Sequence, residues 1–148
     1  MRKSLIVLAV AASALVAVSL TGVTQAPKDK QVIQVSSANA AYKASKSSSM
    51  SGVSMHVLRG DPDKGPHATF TKFDPGYDAG MHSHTNDVSI VVIKGAYLYQ
   101  DEAGEKRVAA GEYFFVPGGH KHRSGGDKAE GALFYQEGSG MFDLVPAK

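Results

Sequence analysis

Two stretches decide the reading of this chain: Gly76-Tyr77-Asp78-Ala79-Gly80-Met81-His82-Ser83-His84 and Gly111-Glu112-Tyr113-Phe114-Phe115-Val116-Pro117-Gly118-Gly119-His120-Lys121-His122. The first carries imidazoles at spacing i, i+2, which on a β-strand places both rings on one face. The second delivers His122 behind a Pro-Gly-Gly turn. Neutral imidazole is the commonest side-chain ligand for divalent transition metals. Three converging imidazoles make an open site, with positions left for water or substrate. Gly76 and Gly80 let the chain turn tightly ahead of the His82 strand. Pro117-Gly118-Gly119 aims His122 back inward.

Around these stretches the chain is a series of short apolar runs between turn signals. Strands are expected at Met55–Leu58, His67–Phe73, Ser89–Ile93, Ala96–Gln100, Tyr113–Val116 and Ala132–Gln136, with weaker candidates at Lys106–Val108 and Phe142–Val145. Turns are expected at Gly60–Pro66, Asp74–Gly76, Asp101–Gly104, Pro117–Gly119 and Gly125–Asp127. No segment after residue 53 keeps a helical period with caps. The fold class is therefore all-β, one small barrel or sandwich over residues 53–148. A barrel of this size can enclose one ligand or ion. Phe114, Val116, Val91 and Ile93 are expected to line it.

The N-terminal part differs in texture. Met1-Arg2-Lys3-Ser4 is a positive start, and Leu5–Leu20 is sixteen apolar or small residues. That is short for a membrane span, which needs about 20 residues, and fits a secretory signal peptide over residues 1–26. Cleavage after Thr24-Gln25-Ala26 would meet Pro27, a poor context, so retention as an N-terminal anchor is the alternative. Residues 27–52 read as a flexible linker rich in Ser and Lys, with Gln31–Val35 as a possible short strand. The protein is thus expected to be exported, periplasmic or extracellular. The net charge of +2 owes its excess to Arg2 and Lys3, so the mature chain is neutral and offers no nucleic-acid surface. With no cysteine, disulfides are excluded and any metal must take nitrogen and oxygen ligands.

The spacing of both stretches resembles the two cupin motifs. The first runs Gly, five residues, His-x-His, three or four residues, Glu, six residues, Gly; here Gly76, His82, His84 and Gly95 match. The second runs Gly, five residues, Pro-x-Gly, two residues, His, three residues, Asn; here Gly111, Pro117, Gly119 and His122 match. The chain also resembles exported single-domain cupins similar to the cupin half of ChrR-type anti-sigma proteins, through Val116-Pro117-Gly118-Gly119 and the late Phe142-Asp143-Leu144-Val145-Pro146. The resemblance implies a jelly-roll barrel of six to eight strands, often dimeric, with a metal inside one mouth held by His82, His84 and His122.

The chain departs from the pattern at two positions. Gly126 stands where the family has Asn, and Val88 (or Ser89) where it has its glutamate ligand. Asp87 is one residue early, and strict strand parity turns it away from the His84 face. A bulge near Thr85-Asn86 would bring it inward as a fourth ligand. Three neutral imidazoles alone leave a divalent ion its full charge and favour anionic or enolate-like ligands. Zinc or iron(II) suits such a set first; manganese, nickel and copper are compatible.

Asp87, His120, Tyr97 and Tyr99 are the candidates for proton handling, with Tyr113 beside them. The bland alternatives are a rim position for His120 and half-buried strand positions for the tyrosines. His56 and His67 read as ordinary strand residues, and Arg123 as a surface charge. The expected function is binding or conversion of a small oxygen-rich molecule by dioxygenase- or lyase-type chemistry. The alternative is a non-catalytic sensor or carrier. Exposed edge strands imply a homodimer.

Overall fold

The computed structural model describes residues 32–147, so the signal segment 1–26 lies outside the described residues. Ten strands follow one another: β1 (Lys43–Ala44), β2 (Val53–Gly60), β3 (His67–Phe73), β4 (Asp78–Ser83), β5 (Val88–Asp101), β6 (Gly104–Ala109), β7 (Tyr113–Val116), β8 (His122–Gly126), β9 (Ala132–Gly138) and β10 (Val145–Pro146). Among the described residues the one helical element is a 3-10 turn, Ser48–Met50. Residues 32–35 are not a strand, so the expectation for Gln31–Val35 fails in its described part. The segment read as a linker contains β1 and the 3-10 turn, and β1 pairs with β2.

All pairings are antiparallel, and they form two walls that share β5. Val88–Gly95 of β5 pairs with β9, which continues through β3 and β2 to β1; β7 lies on its other side. Ala96–Asp101 pairs with β6 on one side and β8 on the other, and β8 continues through β4 to β10. The two expected strands Ser89–Ile93 and Ala96–Gln100 are thus one strand of 14 residues. It crosses between the walls at Gly95, whose φ is 71°. A Cβ there would lie 2.2 Å from the Gly131 carbonyl oxygen, so only glycine lets the walls meet this closely.

Strand alternation sets the core. Val88, Ile90 and Val92 point inward with Phe134 and Val116, and Tyr97, Tyr99 and Val108 close the set from the other wall. Phe73 meets Phe134 edge-on at 4.9 Å. Val91 and Ile93 were expected inside but lie on the outer face, each more than a third exposed. The inward set is Val88, Ile90 and Val92, one residue out of step with the expected one, and a slip of one residue exchanges the two faces.

Two glycines expected in a turn, Gly125 and Gly126, are strand residues of β8. A Cβ on Gly125 would stand 2.5 Å from the Tyr77 carbonyl oxygen, and one on Gly126 2.8 Å from that of Asp74. The Asn of the family pattern therefore has no room at Gly126. The His67 ring occupies space that a side chain at Gly138 would need. Its Nδ1 sits 3.0 Å from Gly65 O and 3.1 Å from Gly140 O, which ties β3 to the start of the C-terminal strap.

Candidate metal centre

His82 comes from β4 and His122 from β8, directly paired across the ladder. His84 follows β4 by one residue. One nitrogen of each ring lies within 4.8 Å of one nitrogen of the others, as a shared ion would require. The rings are buried: His122 is 0% exposed, His82 1% and His84 9%. Burial, above all, pushes all three below the ordinary histidine pKa. They are neutral near pH 7, the form that binds metal.

The orientation of each ring is fixed by its other nitrogen. His82 Nδ1 is 2.8 Å from Gly80 O, His122 Nδ1 2.9 Å from His120 O, and His84 Nδ1 2.6 Å from Asp143 O. A carbonyl only accepts, so each Nδ1 carries the proton and donates it. Every Nε2 then presents a lone pair. His122 Nε2 is buried with no hydrogen-bond partner. A buried nitrogen left without a partner costs about 1–3 kcal/mol, and a cation at this point would relieve that cost. The donor set therefore fits a divalent transition metal, which the three Nε2 atoms would hold.

Asp87 is not brought into this group. Its carboxylate accepts from Gly118 N at 2.8 Å, and its own amide donates to Ser139 Oγ at 3.0 Å. Asp87 is exposed and clamps the Pro117-Gly118-Gly119 turn onto the His84 loop. Gly119 N completes that clamp by donating to His84 O at 2.7 Å. Val88, in the position of the family's glutamate, is buried and lines the cavity beside the histidines.

Tyr99 stacks on the His122 ring, with centroids 5.3 Å apart and planes at 18°. Its hydroxyl donates to Asp101 Oδ2 at 2.8 Å, and His120 Nε2 stands 3.0 Å from the same oxygen at the exposed rim. Hydrogen bonds from His120 and Tyr99 hold the Asp101 carboxyl down at about 2. Tyr99 and His120 thus form one chain with an acid that the sequence reading had placed in a turn. Tyr97 lines the cavity directly, and burial pushes its hydroxyl up to about 12. Tyr113 is on the outer face, bonded to Ser89, away from the site.

Sequence reasoning gave the C-terminal strap and the far wall no role at the site. Asp143 holds His84 through its carbonyl and accepts from Thr85 through its carboxylate. Phe142 packs between the His84 and His67 rings, at 5.2 and 6.3 Å. Thr71, Ser124 and Gln136 add polar atoms to the cavity wall. Gln136 had a signal: it alternates with Phe134 in a run of inward positions along β9.

This fold, with its histidines gathered at one mouth of a curled antiparallel barrel, is that of a cupin. The chain belongs to the ChrR cupin-like domain family, whose model matches residues 30–139. No curated protein matches the sequence. Among solved structures it is similar to the polyketide cyclase RemF from Streptomyces resistomycificus, at 16% identity and TM-score 0.67, covering 80% of this chain and 87% of that one. A double-stranded β-helix protein from Klebsiella pneumoniae matches at 17% and 0.59, covering 79% and 100%. A structure of the DMSP lyases RdDddP and RnDddQII matches at 17% and 0.57, covering 72% and 62%.

Proposed function

We propose that this protein is an exported cupin that holds one divalent transition metal, zinc or iron(II) first, and uses it to bind and convert a small oxygen-rich anion. The observation that carries this reading is the convergence of one nitrogen from each of three rings within 4.8 Å, each ring locked through Nδ1 by a backbone carbonyl. The histidines are neutral, and the cavity lining contains no carboxylate or cationic side chain. An ion there keeps its charge and polarises an oxygen ligand. A carboxylate or enolate would supply the missing negative charge. Among similar structures are a polyketide cyclase and DMSP lyases, which agrees with lyase- or oxygenase-type work on small molecules.

Within the barrel, Tyr97 stays protonated at neutral pH and donates a hydrogen bond rather than acting as a base. The Tyr99–Asp101–His120 chain runs from beside His122 to the rim and offers a path for a proton. The second reading is a sensor or carrier. It draws on the same lining, which contains no carboxylate to act as general base.

Product analysis and oxygen consumption on zinc- and iron-loaded protein, with small hydroxy and keto acids, separate the readings. Turnover supports the enzyme, and saturable binding without turnover the carrier. A coordination shell completed by protein atoms alone contradicts both.

Export rests on the Leu5–Leu20 pattern; N-terminal mass spectrometry of the purified protein checks it by the loss of residues 1–26. A homodimer fits the outer face of the β5–β7 wall, where Val91, Ile93, Tyr113 and Phe115 are exposed side by side. Light scattering at twice the monomer mass would support it; a monomer removes it.

A further inference from the structure

The wall opposite the histidines contains a buried amide with no evident task in the fold. Gln136 is 6% exposed and sits on β9 between Phe134 and Gly138, paired with Ile90 on one side and Thr69 on the other. An apolar side chain would satisfy this position as core. Among the described residues the Gln136 amide forms no side-chain hydrogen bond, whereas the neighbouring Thr69 and Thr71 hydroxyls bond to each other at 2.9 Å. Among the described residues His122 Nε2 is the one fully enclosed side-chain polar atom without a partner, so the Gln136 amide opens onto solvent-accessible space. The Gln136 side chain lines the same cavity as His82, His84, Tyr97 and Ser124.

We propose that Gln136, with Tyr97 in the same cavity lining, is the specificity element of the cavity and recognises a second, neutral oxygen of a small monocarboxylate whose anionic end meets the three histidines. The inference rests on the metal-binding reading above. Three features narrow the ligand class. An amide offers both donors and an acceptor, and Tyr97 a donor, so a hydroxyl or carbonyl is matched. No cationic side chain lines the cavity, so a second carboxylate would be buried unpaired at a cost of several kcal/mol. The body between the two groups faces Val88, Ile90 and Phe73, which suits carbon rather than further hydroxyls. The cavity is narrow, with about 30 Å³ open to the centres of water molecules, so the ligand is short. The class is a short hydroxy- or keto-acid, not a dicarboxylate or a sugar acid.

The test uses the full chain loaded with cobalt(II), whose visible absorption reports ligand entry. The probes are hydroxy acids of roughly two to four carbons, the unsubstituted acids of equal length, and the matching dicarboxylates. At least one hydroxy acid should bind about tenfold or more tighter than its unsubstituted partner and its dicarboxylate. Gln136→Leu should reduce that preference to within about twofold while cobalt stoichiometry and affinity for the unsubstituted acid stay unchanged. Gln136→Met, which keeps the length without the amide, gives the same readout should Leu prevent folding. A preference that survives both variants, dicarboxylates that bind as well as hydroxy acids, or no acid binding at all overturns the proposal. Failure of the wild type to take up cobalt is a different result: it removes the metal reading, and this inference with it.

Discussion

The two walls of the barrel bury their inner faces by the same alternation, yet they are held in different ways. The wall of β3, β9 and the first half of β5 is packed: Ile90, Val92 and Phe134 fill space and need only neighbours of the right shape. The wall of β4 and β8 is tethered: its buried imidazoles, with that of the following His84, are each bonded through Nδ1 to a carbonyl. The tethers also differ. His82 and His122 are held by the residue two positions earlier, so their rotamers are local properties of the strand. His84 depends on Asp143, 59 residues further on. A packed wall supplies stability, and a tethered wall supplies aim.

The sharpest way to break this division is Phe134→Ala. Removing a fully buried ring should cost about 3–5 kcal/mol in denaturant unfolding. The surviving folded fraction should still take up metal, because the tethers do not involve that wall. Loss of metal binding from folded protein would show that the walls are not separable.

Val88→Glu restores the family's carboxylate at a buried position. Without metal it should destabilise the fold by about 2–3 kcal/mol, since an acid replaces core surface. With metal the sign should reverse, and affinity should rise by about tenfold or more as the charge is matched. Unfolding with and without added zinc reads both effects.

Acid should act on the tethered wall of the metal-free protein. Burial lowers the folded pKa of His82, His84 and His122 below the ordinary 6.5, so the unfolded chain binds more protons just below that pH. Their contribution is fully present above 6.5 and is lost as pH falls through the depressed folded values. The slope is at most about 1.4 kcal/mol per pH unit for each ring. A pH series of unfolding midpoints should show this decline, and His122→Ala should make it shallower.

Asp143→Ala should have the smallest effect. The carbonyl that holds His84 remains, but the carboxylate that fixes Thr85 is lost. Stability should fall by about 1 kcal/mol and metal affinity by roughly tenfold. The corresponding local tethers of His82 and His122 have no distant residue to remove.

Much of this division was legible in the sequence, because local patterns write it. The i, i+2 histidines and the Pro-Gly-Gly turn specify a shared face and an inward return, and β3 and β7 have the bounds that their β-branched and aromatic runs imply. What depends on distant contacts was not legible. The inward set of β5 is out of step by one residue because its register is fixed by pairing with β7 and β9. Gly125 and Gly126 look like turn residues alone and are strand residues because the Tyr77 and Asp74 carbonyls press on them. Asp143 tethers His84 only once the chain has returned past β4 as β10.

The most direct test of the central claim is metal content by elemental mass spectrometry, on mature folded protein beside a folded His82→Ala/His122→Ala variant. The account predicts close to one divalent transition-metal ion per chain in the wild type and none in the variant. A folded wild type that holds no metal even when it is supplied, or equal metal in both proteins, would contradict it.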